Sequence, residues 1–135
     1  MYEYYVRKVE NVVDGDTIDV LIDLGFDILF QSRVRLAGID TPESRTSDKA
    51  EKVLGLESKE YLKKYLKDAK SVIIKTEKMD SSEKYGRILG WVYVNDDTES
   101  LNDKMINDGY AWGYMGDTKV KDFEALKKAR VKSGK

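Results

Sequence analysis

Val6, Val9, Val12 and Val13 lie in a β-branched-rich opening run, and Asp14-Gly15 follows them directly. Asp-Gly is a strong short-range turn signal, and Thr17-Ile18-Asp19-Val20-Leu21-Ile22 then resumes an alternating pattern. The pattern predicts two strands joined by a tight turn. A Gly-containing corner from Asp23 to Asp27 leads into a third strand. There Ile28, Phe30, Val34 and Leu36 fall on one face, expected to be the core face, and Gln31, Arg33 and Arg35 on the other. Arg35 is therefore expected on the non-core side of its strand, a few residues before Asp40.

Ser44 to Glu51 is polar and irregular and reads as a mobile loop. Leu54, Tyr61, Leu62, Tyr65, Leu66 and Ala69 recur at helical spacing, which predicts a helix from about Leu54 to Asp68. Ser71 to Thr76 and Gly86 to Val94 read as two further strands, separated by the polar turn Asp80-Ser81-Ser82-Glu83. Ser100, with Asp103 three residues on, opens a short helix through Leu101, Met105 and Ile106 that Gly109 would stop. Phe123, Leu126 and Ala129 mark a last, Lys-rich helix. Five short strands with a helix between the third and fourth suit a small Greek-key barrel of the oligonucleotide-binding type, mainly β with helices attached. At 135 residues, with no repeat and no linker-like stretch, the chain is expected to be one domain over residues 1–135.

Composition narrows the chemistry. Cysteine and histidine are both absent, which removes disulfides, thiolate metal sites, imidazole bases and His-bound zinc. Catalysis would fall to carboxylates, Arg, Lys, Tyr or an oxygen-ligated ion. Lys and Arg number 24 and Asp and Glu 25, a net charge of -1, which disfavours a protein that coats a duplex but leaves room for a local cationic cleft. No apolar run approaches membrane-spanning length, and no membrane partner is expected. The N-terminus lacks a charged region followed by an apolar one. An intracellular protein or a secreted domain without its leader is expected.

Asp16 and Asp40 each sit at a strand end, where a barrel can gather them. Taken alone, either is an ordinary turn aspartate. Taken together, with carbonyl and water oxygens, they suit a hard cation such as Ca²⁺ or Mg²⁺. Their spacing matches no EF-hand loop. Glu43, after Pro42, is either a solvated turn acid or, without histidine, the base that polarises a water. Arg35 and Arg87 are the cationic counterparts: solvated surface arginines on one reading, a clamp for a phosphate gaining charge on the other. Lys84 and Tyr85 precede Gly86-Arg87 and suit a neighbouring phosphate or sugar.

DGDT at Asp14 to Thr17, RLAGIDTPE at Arg35 to Glu43 and EKYGR at Glu83 to Arg87 together resemble the staphylococcal nuclease family. Order and separations agree, and a weaker similarity continues through SLNDKMINDGYAWGY, so nearly the whole chain is covered. The resemblance implies an oligonucleotide-binding barrel with three helices and a Ca²⁺-dependent phosphodiesterase that acts on DNA and RNA and leaves 3′-phosphates. It implies Asp16 and Asp40 as side-chain ligands of Ca²⁺, with the Thr41 carbonyl added, and Glu43 as the water-activating base. Arg35 and Arg87 would bind the reacting phosphate, Lys84 and Tyr85 the phosphate on the 3′ side, and Tyr114 matches the family's base-contacting tyrosine. Three features depart from the pattern: Glu83 replaces a common Asp, the charge is near neutral, and the chain stops at Lys132-Ser133-Gly134-Lys135, short of the apolar end usual for the last helix.

The expected protein is thus a monomeric, sugar-nonspecific endonuclease that prefers single-stranded substrate, because a barrel cleft with one ion offers nothing to read base edges in a groove. A catalytically silent nucleic-acid or protein-binding module is the alternative, marked in relatives by loss of the arginines and carboxylates. Asp16, Arg35, Asp40, Glu43 and Arg87 are all present here. A purely structural calcium-binding domain would leave the two arginines unexplained.

Overall fold

Ile18, Val20 and Ile22 alternate along strand β2 (Thr17–Asp23) and all three are buried, while the residues between them are half-exposed. Burial alternates in the same way along β5 (Val72–Thr76) and β6 (Ile88–Val94). Such a period of two on one buried face is what a half-covered sheet requires. The computed structural model describes residues 2–76, 88–114 and 121–134. Within them β1 (Tyr2–Asp14), β2, β3 (Leu29–Leu36), β6 and β5 form a closed barrel in that order, with β5 returning to β1. All neighbours are antiparallel except β3 and β6, which run parallel through Val34–Ile88, Arg35–Leu89 and Leu36–Gly90. The result is the expected five-stranded barrel with three helices.

β1 serves two neighbours, β5 with Tyr2 to Tyr5 and β2 with Tyr5 to Asp14. Three register shifts along it let one long strand bend around the barrel. Helix α1 (Lys49–Lys67) lays Leu54, Leu62 and Leu66 on the core, and α2 (Leu101–Asn107) contributes Leu101 and Met105. Ser100 caps α2 by accepting from the Asp103 amide, and Gly109 follows it at φ +81°. Asn102, 1 % exposed, accepts from the Val92 amide and donates to the Ala37 and Gly90 carbonyls, tying α2 to β6 and to the exit of β3. Helix α3 (Phe123–Ser133) buries Leu126. Among the described residues no helix is long and apolar enough to cross a membrane.

Several expectations need correction. Ile28 and Phe30 do not join the core: they are 55 % and 48 % exposed. Leu29 and Phe30 pair with Asp23 and Ile22 on β2, and among the described residues β3 meets β6 from Val34 onward. The hairpin tip turns through left-handed Gly25, Phe26 and Asp27. α1 begins at Lys49, ahead of Leu54, because the Asp48 carboxylate accepts from the Ala50 and Glu51 amides. The segment read as a mobile loop is tied down, with Ser44 buried and its last residues helical. Two further strands, β4 (Ile39–Asp40) and β7 (Trp112–Gly113), pair antiparallel outside the barrel.

Candidate active site

The Asp14-Gly15 turn, the end of β3, β4 and the segment after it enclose a cavity of about 160 Å³. Asp14, Asp16, Thr17, Arg35, Asp40, Thr41, Pro42 and Glu43 line it. Arg35 does lie on the face opposite Val34 and Leu36, yet it is only 8 % exposed because that face turns into this cavity. Its Nη1 donates to the Leu36 and Ile39 carbonyls, each at 3.0 Å. Its Nη2 lies 3.6 Å from Asp16 Oδ2 and 3.8 Å from Asp40 Oδ1. One guanidinium edge is thus fixed by backbone and the other stands between the two aspartates. The Arg35 guanidinium also lies over the Tyr114 ring, 5.6 Å from its centroid.

Each acid is placed by local structure. Asp16 Oδ1 accepts from the Thr17 hydroxyl at 2.9 Å, and the Asp16 carbonyl accepts from the Leu36 amide at 2.8 Å, pinning the turn to the end of β3. Asp40 and Thr41 are buried, and Asp40 pairs with Trp112 across the β4–β7 ladder. The same ladder brings in Tyr114, whose amide donates to the Gly38 carbonyl at 2.8 Å. Glu43 is exposed at the rim, whereas Asp16 and Asp40 lie deeper. Lys84, Tyr85 and Arg87, the other expected site residues, lie outside the described residues.

Four carboxylates face one guanidinium in this lining, so the described part of the cavity carries an excess of negative charge. Such an oxygen-rich, acid-rich donor set fits a hard divalent cation, with Asp16, Asp40 and the Thr41 carbonyl as the groups that would hold it. Among the described residues no cluster of three or more acids forms a ready-made metal cage; the expected site is one of two carboxylates completed by a carbonyl.

The cavity also depends on residues that periodicity alone did not single out. Ser44 Oγ donates to Asp14 Oδ1, joining the segment after β4 to the first turn. The Glu43 amide donates to Glu51 Oε2 at 3.0 Å, and the same oxygen accepts from Lys121 Nζ at 2.9 Å. Burial would raise the Glu51 pKa, but the Glu43 amide and the Lys121 ammonium outweigh it and hold it below its usual range. Asp48-Lys49-Ala50-Glu51 has capping-box spacing, a signal that marks Glu51 as a first-turn acid but not its partner.

The family model described as staphylococcal nuclease homologue matches residues 33–134. The chain is 33 % identical over 104 residues to a thermonuclease of Staphylococcus hyicus, covering 77 % of this chain and 56 % of that protein. It is 29 % identical over 130 residues to endonuclease YncB of Bacillus subtilis, covering 94 % of this chain and 58 % of that one. To protein ParB of Escherichia coli it is 32 % identical over 135 residues, 95 % of this chain and 68 % of the relative. The chain therefore spans between 56 % and 68 % of the length of these three relatives. A matched segment that includes Arg35 to Glu43, carried on the expected barrel, places the chain in the staphylococcal nuclease homologue family.

Proposed function

We propose that the protein is a Ca²⁺-dependent, sugar-nonspecific endonuclease that hydrolyses DNA and RNA to products with 3′-phosphates. The observation that carries this reading is the buried Arg35 guanidinium set between Asp16 and Asp40 in an acid-rich cavity. Acids alone would repel a phosphodiester, and a bound cation offsets that repulsion. When bound, Ca²⁺ would supply positive charge beside the reacting phosphate.

Arg35 is held by two carbonyls in one orientation, so its remaining edge can meet phosphate oxygens without first being ordered. As water attacks phosphorus, negative charge grows on the equatorial oxygens, and a fixed donor becomes more favourable as it grows. Glu43, exposed at the rim, accepts the proton of the attacking water. The bond from phosphorus to the 5′-oxygen breaks, that oxygen takes up a proton, and the phosphate stays on the 3′ side. Arg87 is proposed as the second arginine on the phosphate, Lys84 and Tyr85 as contacts to the neighbouring phosphate, and Tyr114 as a surface for a base. Nothing in this set distinguishes a 2′-hydroxyl, so both nucleic acids are proposed substrates, with single strands preferred.

The test is digestion of end-labelled single-stranded DNA and RNA oligonucleotides in Ca²⁺ and in chelator. Ca²⁺-dependent fragments whose ends lose phosphate to a 3′-phosphatase are expected. Intact oligonucleotides under both conditions would refute the enzyme reading and favour the silent binding module.

A further inference from the structure

We propose that Glu51 and Lys121 form a strap that positions Glu43; the functional part of this inference rests on Glu43 being the base. Glu51 is 8 % exposed in the first turn of α1, and one of its oxygens accepts from both the Glu43 amide and Lys121 Nζ. Lys121 directly precedes Asp122, which caps α3 by accepting from the Ala125 amide. The strap thus links α1, the segment after β4 and the start of α3 at Glu43, the exposed residue proposed as the base.

Two observations separate this role from ordinary helix fastening. The cap of α1 is already provided by Asp48, which accepts from the Ala50 and Glu51 amides, so the Glu51 side chain is not needed there. α3 has other anchors: Trp112 Nε1 donates to the Asp122 carbonyl, Arg130 Nε donates to the Gly109 carbonyl, and Arg130 pairs with Glu57. Among the described residues, the backbone group that the Glu51 carboxylate holds is the Glu43 amide. One turn further along α1, Gly55 lacks a side chain, which lets the Glu43–Ser44 peptide lie directly on the helix. The Glu43 amide is thus hydrogen-bonded to α1 and its carbonyl lies close against the same helix, so the Glu43 side chain departs from a backbone packed on α1.

The first readout is amide exchange at Glu43, followed by NMR in chelator. Glu51→Ala is expected to speed Glu43 amide exchange by roughly tenfold or more, as for loss of a local closing contact. Exchange of the Val92 amide, held by Asn102, should stay unchanged. Glu51→Gln keeps an acceptor oxygen and should retain most of the protection; Lys121→Met should give a smaller acceleration. Unchanged exchange at Glu43 in Glu51→Ala would overturn the strap.

The second readout is kinetic. Glu51→Ala should lower kcat by roughly 10- to 100-fold, the scale set by a small misplacement of a reacting group, with KM and the Ca²⁺ requirement little changed. In a Glu43→Ala background the same substitution should cost nothing further. An equal proportional loss in both backgrounds would contradict action through Glu43. If Glu43→Ala itself keeps full kcat, the base assignment fails, and the exchange result alone then decides whether the strap exists.

Discussion

A Cβ added to Gly55 in α1 would lie 2.4 Å from the Glu43 carbonyl oxygen and 2.6 Å from the Ser44 nitrogen. Both neighbours are backbone, so neither can swing aside. In an exposed helix, Gly→Ala is worth about 1 kcal/mol of added stability. Here overpacking of about 1–3 kcal/mol opposes and exceeds that gain. Gly55→Ala is expected to be less stable than wild type in urea denaturation and to lose kcat as Glu43 is pushed away from α1. A more stable Gly55→Ala with full turnover would show that the close approach is dispensable.

Arg35 fills two roles, structural through Nη1 and electrostatic through Nη2. Lysine keeps the charge but cannot reach two carbonyls and two carboxylates at once. Arg35→Lys should lower kcat by about 100-fold or more, the loss typical of a fixed transition-state donor. Arg35→Met should in addition be destabilised by about 3–5 kcal/mol, because Asp16 and Asp40 lose their shared cation. Added Ca²⁺ should restore part of that stability, measured as a rise in Tm. Equal Tm values with and without Ca²⁺ would argue that the ion does not sit between these acids.

Asn102 provides a control away from the chemistry. Its amide satisfies three backbone groups in the core, and Asn102→Ala leaves them buried without it. A loss of about 2–4 kcal/mol is expected, read from denaturant unfolding. The Ca²⁺ concentration for half-maximal activity should not move, since the cavity is elsewhere.

Tyr61 gives the alkaline limb of stability. Its hydroxyl donates to Asp108 Oδ2 at 2.6 Å, and burial first, then that carboxylate, push its pKa far above the usual 10.0. The folded state keeps the proton more tightly than the unfolded chain does. The stabilisation is therefore whole below pH 10.0 and lost as pH rises above it. Tyr61→Phe is expected to be less stable at neutral pH, yet to decline less steeply above pH 10. Parallel curves for the two proteins would contradict this assignment.

Alternation made the barrel readable: Ile18, Val20 and Ile22 face the core because a strand's side chains repeat every two residues. It could not tell that Ile28 and Phe30 stay exposed, since alternation assigns a side but not what covers it. β4 and β7 are two residues each, too short for any period, and they are what set Asp40 beside Trp112 and Tyr114 beside Arg35. Turn chemistry and short spacing placed Arg35 near Asp40 and Thr41. Glu51 and Lys121 stand 70 positions apart, and only the packing of α1 and the start of α3 against the segment after β4 brings them to Glu43.

The proposed hydrolysis depends on Ca²⁺ held at Asp16 and Asp40. The decisive measurement is a Ca²⁺ titration of single-stranded DNA cleavage, run on wild type and Asp40→Ala side by side. Wild type should show no cleavage in chelator and saturable activation by Ca²⁺, and Asp40→Ala should need far more Ca²⁺ to reach a lower plateau. Cleavage by wild type in chelator, or superimposable titrations for the two proteins, would contradict it.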